Sequence, residues 1–240
     1  MSGHSKWKTI KHKKAITDAK RSNAFTKLAN AITVAAREKG IDPDMNPSLR
    51  TAITKARAGN MPKDNIERAI KRGSPDSDEK FESIIYEGYG PGKSAILIET
   101  ITNNRNRTSQ ELKNILTKSG GSFAQEGSVM WLFDKFGKII VEKTEDVNLE
   151  YVELEAIDAG AEDIKEEQEE IIILTKTDEL YKITKILEEK NIKIKESEFD
   201  FIAKNELKIE DENTQCKIEK LFDLIDDNND VQNIYSNVDF

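Results

Sequence analysis

The chain has 240 residues and a formal net charge of −8, with 34% charged and 37% hydrophobic residues. These proportions are typical of a hydrophilic globular protein of one to three domains. The apolar runs are far shorter than the roughly 20 residues of a membrane-spanning helix, so we expect no contact with a membrane. A single cysteine, Cys216, excludes an intramolecular disulfide. The N-terminus lacks the apolar segment of a secretory signal, and a cytoplasmic location is expected.

The average charge hides a division along the chain. Residues 1–73 contain 17 Lys and Arg against 6 Asp and Glu, a net charge of +11. Residues 74–240 contain 20 against 39, a net charge of −19. This polarity indicates a basic module for a polyanion, joined to an acidic body. Two alternatives stay open: that lysine-rich helices serve solubility alone, or that the basic part docks on the acidic part within or between chains.

The first third of the chain predicts a small helical domain, residues 1–76. Residues 1–20 have too few apolar side chains to hold a helix alone, which predicts a partly helical, mobile arm that becomes ordered on a partner. Apolar residues at helical spacing then predict one helix ending at Gly40, a second from Asn46-Pro47 to Gly59, and a third from Pro62 to Gly73. A polar linker follows.

Beyond residue 80 the pattern alternates between strands and helices. Strands are predicted at 94–102, 128–133, 138–142, 161–166, 170–175, 192–203 and 231–237, and helices at 108–118, 148–159, 178–190 and 214–226. Val129, Trp131 and Phe133 alternate, which predicts that Trp131 lies in the core.

The element order βαβ, βαββαβ, βαβ predicts an α+β, multidomain protein with two ferredoxin-like units. We expect one α+β domain from 80–135 plus 197–240, with a second, residues 136–196, inserted into it. The alternative is two such domains side by side in sequence.

No catalytic constellation is evident. Residues 87–94 end in Gly-Lys-Ser, as in a phosphate-binding loop, but Glu87 occupies the position of the first glycine and a strand follows instead of a helix. The interpretation is a glycine-rich turn between domains. His4 and His12 lack metal-ligand spacing. Adjacent acidic pairs such as Asp226-Asp227 are interpreted as solvated sheet edges. We therefore expect no enzyme activity, metal, cofactor or small-molecule substrate.

The basic arm supplies the candidate nucleic-acid contacts. Lysines interleaved with an aromatic side chain suit phosphate contact and base stacking, although Trp7 is equally compatible with packing on the helical domain. The candidates are Lys6, Trp7, Lys8, Lys11, His12, Lys13, Lys14, Lys20, Arg21 and Lys27. Secondary candidates are Lys63 and Asn65 beside the third helix, and Arg105 and Arg107 in the turn before the helix at 108–118. The structural alternative for both pairs is helix capping.

Several longer motifs resemble the YebC/PmpR family, in the same order along nearly the whole chain. They lie at residues 3–7, 10–13, 18–21, 25–27, 35–37, 46–50, 60–70, 86–92, 104–108, 127–131 and 231–237. Two positions depart from the family pattern: Lys93 stands where a third glycine is usual, and Asn103 where aspartate is often found.

The resemblance implies three domains, no enzymatic activity, and a cytoplasmic protein described as a DNA-binding transcriptional regulator. It also implies a second possibility, a ribosome-associated RNA-binding factor that assists translation through proline-rich stretches. Lysine-dominated contact favours the phosphate backbone over base edges. The expected partner is thus DNA, or ribosomal or transfer RNA. The sequence leaves the oligomeric state open between a monomer and a weak dimer.

Overall fold

The computed structural model describes residues 18–75, 77, 80–144, 147–167 and 169–239, with side chains from residue 21 onward. Helices and largely antiparallel sheets alternate, which confirms the predicted α+β, multidomain class. The chain divides into two compact units, Met1–Phe133 with Ile202–Phe240, and Asp134–Phe201. Among the described helices, none has the length and apolar content to cross a bilayer.

The first unit begins with the three predicted helices. They are α1 (Asp18–Lys39), α2 (Pro47–Ala58) and α3 (Lys63–Arg72). Helices α2 and α3, with 12 and 10 residues, are too short to be stable alone in water, so each depends on packing. The core that the three helices share contains Ile32, Leu49, Ile53, Ala56, Ile66 and Ala69.

Asn46 connects the first two helices. Its Oδ1 accepts a hydrogen bond from the Leu49 N–H at 3.0 Å, which caps α2 as predicted. Its Nδ2 donates to the carbonyl oxygens of Ala35 and Gly40, both at 2.7 Å. The side chain is fully buried. One amide therefore satisfies backbone groups at the end of α1 and at the start of α2.

Gly73 ends α3 against α1. A Cβ atom at this position would lie 2.3 Å from the Thr33 carbonyl oxygen, so only glycine permits this approach. The Thr33 hydroxyl donates across the same contact to the Ala69 carbonyl at 3.1 Å.

A four-stranded sheet forms the rest of the first unit. Its strands are β1 (Glu82–Tyr89), β2 (Ala95–Thr102), β3 (Ser122–Phe123) and β9 (Val231–Ser236), in the order β3-β1-β2-β9. Helices α4 (Arg105–Lys118) and α7 (Glu212–Asp226) cover one face. Their shared core contains Tyr86, Ile96, Ile98, Leu112, Leu116, Ile218, Leu221, Phe222, Ile225, Val231 and Ile234. Two short strands, β8 (Leu207–Lys208) and β10 (Val238–Asp239), pair in parallel beside it.

Strand β1 was not predicted. It pairs with β2 along its whole length, from Glu82 opposite Thr102 to Tyr89 opposite Ala95. The glycine-rich segment is therefore the turn of a hairpin within one sheet, and the interpretation as a turn between domains was wrong. A short 3-10 turn, Pro91–Lys93, joins the two strands.

The predictions of a strand at 128–133 and of a buried Trp131 were also wrong. Met130–Leu132 form a 3-10 turn, and Trp131 is 64% exposed, with its indole N–H donating to the Ser128 carbonyl at 3.0 Å. Val129 and Phe133 are buried as predicted. Two buried side chains four residues apart suit one face of a turn as well as one face of a strand, and this produced the error.

Glu87 holds the segment before that turn. Its carboxylate is 2% exposed and accepts hydrogen bonds from the backbone N–H groups of Gly127, Val129 and Met130, the last at 2.9 Å. A buried carboxylate with three backbone donors replaces the hydration it lost. Glu87, which occupies the position of the first glycine of a phosphate-binding loop, is thus a structural anchor.

The second unit has the predicted element order βαββαβ. It contains β4 (Phe133–Glu142), α5 (Leu149–Ala159), β5 (Asp163–Glu166), β6 (Glu170–Thr175), α6 (Leu180–Glu189) and β7 (Ile194–Ala203). The sheet order is β5-β6-β4-β7, and the core between sheet and helices includes Ile139, Val141, Val152, Ile171, Ile173, Ile183 and Leu187. Within this unit, buried Lys138 pairs with Asp200.

Replacing Asn46 is predicted to destabilise the first unit more than the loss of a cap alone. Asn46→Ala removes the cap and leaves the carbonyls of Ala35, which is buried, and Gly40 without this donor, an expected loss of about 2–3 kcal/mol in unfolding free energy. Asn104→Ala is the control, because Asn104 is an exposed residue that caps α4. Its expected loss is about 1 kcal/mol. Equal losses in urea denaturation would contradict the dual role of Asn46.

Replacing Glu87 is predicted to loosen the segment that it anchors. Glu87→Gln turns an amide toward backbone donors and removes the charge, an expected loss of about 2 kcal/mol in unfolding free energy. Hydrogen exchange should accelerate at the amides of Gly127, Val129 and Met130. Glu126→Gln changes an exposed carboxylate in the same segment and should leave both measurements unchanged. Unaltered exchange at Val129 in Glu87→Gln would refute the anchoring role.

Candidate nucleic-acid interface

Most of the predicted arm contacts lie outside the described residues. These are Lys6, Trp7, Lys8, Lys11, His12, Lys13 and Lys14; the backbone of Lys20 belongs to α1, but its side chain is also outside. Their role in binding stays a prediction. Arg21 is the first described side chain of the arm's continuation, and it is exposed on α1.

The helical part of the first unit presents a basic surface. Residues 21–73 contain 11 Lys and Arg against 5 Asp and Glu, a net charge of +6. The exposed basic side chains are Arg21, Lys39, Arg50, Arg57, Lys63, Arg68 and Lys71. Since exposed cations attract phosphates over a Debye length of about 8–10 Å, this surface continues the electrostatic character of the arm.

The exposed face of α3 carries both signs of charge. Lys63 is exposed at the start of the helix, and its Nζ lies 3.5 Å from a carboxylate oxygen of Glu67. Asn65 accepts a hydrogen bond from the Arg68 guanidinium. Asp64 is exposed in the same first turn. The secondary candidates Lys63 and Asn65 therefore stand beside two carboxylates.

Lys27 is engaged within the protein. Its Nζ donates to the Asp226 carboxylate at 2.9 Å and to the Asp226 backbone carbonyl at the end of α7. Asn23 adds a hydrogen bond of 3.3 Å to the Asp227 carbonyl. The prediction that Asp226-Asp227 is a solvated sheet edge was wrong, because these residues hold α1. Lys27 thus positions the helix that continues the arm.

The second pair of secondary candidates lies at the start of α4. Arg107 Nη2 donates to the Asp230 carboxylate at 2.6 Å, and this hydrogen bond raises the pKa of the guanidinium above its ordinary value. The Thr108 hydroxyl donates to the same carboxylate oxygen at 2.6 Å. Arg105 is exposed, and its backbone carbonyl accepts the Tyr86 hydroxyl at 3.1 Å. Both arginines are exposed, and Arg107 is the one engaged in an ion pair.

A polar cleft of about 570 Å³ opens between these elements. Its walls come from α1, the end of α3, the start of α4 and the turn after α7. The lining residues include Asn30, Arg72, Phe81, Asn103, Arg107, Glu111, Asp227, Asn228, Asn229 and Asp230. The sequence did not predict the cleft because its lining residues are spread from Thr26 to Asp230, and no local pattern joins them.

Known proteins similar to this chain cover its whole length. The TACO1/YebC N-terminal domain model matches residues 5–76, and the TACO1/YebC second and third domain model matches residues 81–238. A probable transcriptional regulatory protein of Halothermothrix orenii is 46% identical over the whole chain and 95% of its own length. A protein of the same description from Persephonella marina is 48% identical over 99% of the chain and 95% of its own length.

A solved structure gives the same result. The crystal structure of a conserved hypothetical protein from Aquifex aeolicus superposes with a TM-score of 0.85 at 41% identity, covering 96% of this chain and 95% of that one. The motifs that resemble the YebC/PmpR family thus lie in a chain whose sequence and fold both match, and the protein belongs to the TACO1/YebC family.

Proposed function

We propose that this protein is a non-enzymatic, cytoplasmic nucleic-acid-binding regulator of gene expression, acting as a DNA-binding transcriptional regulator. Its basic N-terminal domain binds phosphates. The observation that carries the proposal is the charge division, +11 in residues 1–73 against −19 in the remainder. The names of the relatives, probable transcriptional regulatory proteins, agree with it.

The primary contact is the arm with the first turn of α1. The proposed contact residues are Lys6, Trp7, Lys8, Lys11, His12, Lys13, Lys14, Lys20 and Arg21, with Lys63, Asn65 and Arg105 as secondary contacts. Lys27 and Arg107 support the contact by orienting α1 and α4, since both side chains form ion pairs with aspartates. The acidic remainder repels phosphates and so confines the nucleic acid to the helical domain.

A ribosome-associated RNA-binding translation factor is the second candidate. The observation that favours it is the mixed charge of α3, where Asp64 and Glu67 accompany Lys63 and Arg68. A helix that enters the DNA major groove meets phosphates on both sides, and exposed carboxylates oppose this approach. Structured RNA is recognised by shape, phosphate contact and stacking, and a basic arm with a tryptophan suits that mode.

Charge reversal in the arm is predicted to abolish binding. With Lys11, Lys13 and Lys14 changed together to Glu, the affinity for nucleic acid should be lost. For the wild-type chain, log affinity should fall linearly with log salt concentration, with a slope near −0.9 per contacted phosphate on duplex DNA or about −0.7 on single strands. Fluorescence anisotropy across a salt series measures both effects.

The matched control reverses three exposed lysines of the second unit, Lys182, Lys185 and Lys193, to Glu. It changes the net charge by the same amount without touching the arm. A salt-independent affinity, or an equal loss in the control, would overturn the phosphate-binding role of the arm.

Competition between DNA and ribosomes is predicted to separate the two candidates. The wild-type and arm-reversed proteins are incubated with purified ribosomes and mixed duplex DNA at physiological salt. Selective, arm-dependent retention on one DNA fragment, with ribosomes ignored, is the outcome expected for the transcriptional regulator. Saturable ribosome binding that persists in excess DNA would replace it with the translation factor.

A further inference from the structure

We infer that the polar cleft beside α1 is a binding site for a single nucleobase, presented by an unpaired nucleotide of the bound nucleic acid. The inference deepens the proposed function and rests on it, because it names the part of the nucleic acid that the folded body would recognise. Its basis is the set of unused polar groups, the stacking surface, the charge balance and the position of the cleft.

Asn30 provides a hydrogen-bond donor at the wall of the cleft. The residue is 5% exposed, and its Oδ1 accepts from Arg72 Nη2 at 3.3 Å. Within the described residues its Nδ2 makes no hydrogen bond. The Nδ2 is therefore available to a ligand that offers a hydrogen-bond acceptor.

Two exposed amides stand on the other walls. Asn103 lies at the start of α4 and Asn229 in the turn after α7, and neither side chain forms a hydrogen bond with a described residue. Each amide offers both a donor and an acceptor. The edge of a nucleobase also alternates donors and acceptors, and asparagine is a common partner for such edges. The cleft therefore matches a base edge in hydrogen-bonding character.

A planar surface accompanies these amides. The Arg72 guanidinium lies over the Phe81 ring, 4.9 Å from its centroid, and both residues line the cleft. Unpaired bases stack on aromatic rings and on guanidinium planes, and such stacking tolerates any base. Polar edge contacts and a stacking plane together define a site for a flat, polar heterocycle.

The charge of the cleft excludes a phosphate as the main ligand. Its formal charges are those of Arg72 and Arg107 against Glu111, Asp227 and Asp230, a net of −1. Arg107 is already neutralised by Asp230 at 2.6 Å. A dianion would meet more negative than positive charge, whereas a neutral base would not. The volume of about 570 Å³ lies within the range of small-ligand sites.

The cleft also lies next to one of the proposed phosphate contacts. Asn103 lines it just before α4, and Arg105, which is exposed, follows two residues later. A strand whose phosphate is held by Arg105 would therefore bring a nearby base to the cleft.

Titration of the full chain with free nucleosides tests the inference, since a nucleoside carries the base without the phosphate. Guanosine, adenosine, cytidine and uridine are added separately, and the side-chain amide signals of Asn30, Asn103 and Asn229 are followed by nitrogen-15 NMR. At least one nucleoside should shift these signals saturably, with an affinity in the millimolar range. Inorganic phosphate should not shift them.

Asn30→Asp is the decisive variant. It keeps the oxygen that accepts from Arg72, replaces the donor with an acceptor and adds one negative charge, so binding should weaken about tenfold. Asn213→Asp, an exposed position in the first turn of α7, is the control of equal charge and should bind as the wild type does. Asn103→Ala combined with Asn229→Ala breaks no side-chain hydrogen bond to a described residue and should also weaken binding.

The result that overturns the inference is an absence of shifts with all four nucleosides, or equal affinity in Asn30→Asp and the wild type. Displacement of the bound nucleoside by inorganic phosphate would also overturn it, since the cleft would then be an anion site. The arm-reversed protein separates this failure from failure of the proposed function. It should still bind nucleosides after losing nucleic acid, whereas a failed cleft would leave arm-dependent binding intact.

Discussion

The attachment of α1 to the end of α7 is the contact on which the geometry of the first unit depends. Lys27 donates to both the carboxylate and the backbone carbonyl of Asp226, and its side chain is largely buried. The last carbonyls of a helix lack partners within the helix and attract cations. Lys27 satisfies this requirement for α7. The basic helical domain is thereby joined to the acidic sheet by a directional contact and not by general attraction of opposite charges.

Further polar contacts, besides this ion pair, hold the helical domain and the sheet of the first unit together. Asn23 donates to the Asp227 carbonyl one turn before Lys27 on α1. Arg72, at the end of α3, stacks on Phe81 at the entrance to the sheet. On the far side of the cleft, Asp230 is held by Arg107 and Thr108. The walls of the cleft are therefore each tied by specific polar contacts.

Local signals predicted the elements with a clear period or cap. The helices at α1, α2 and α3 followed from apolar spacing and from Asn46-Pro47, and the second unit followed from its element order. Strand β1 was not predicted because glycines at positions 88, 90 and 92 are typical of a turn. The structure assigns two of these glycines to close packing: a Cβ at Gly88 would lie 2.9 Å from Leu116, and one at Gly90 would lie 2.6 Å from the Ser94 hydroxyl.

Lys93 shows how the structure accounts for a departure from the family pattern. Its φ angle is +62°, in the left-handed region that glycine adopts without strain. The resemblance placed a glycine at this position, and the hairpin between β1 and β2 explains the preference. Lysine is tolerated there at a cost of about 1 kcal/mol, because its side chain is exposed and the turn makes no demand beyond the backbone angle.

The candidate site could be predicted only in its electrostatic part. Charge counts identify the basic arm without any knowledge of the fold, since attraction to phosphates depends on the number and proximity of cations. Charge counts also overestimate the number of cations available to phosphates. Lys27 and Arg107 are both counted, although each is paired with an aspartate far away in sequence. Hydrogen-bond recognition depends instead on groups left unpaired after folding. Among the described residues the Nδ2 of Asn30 is such a group, and its availability follows from the position of Arg72, 42 residues later, which uses only the oxygen of the same amide.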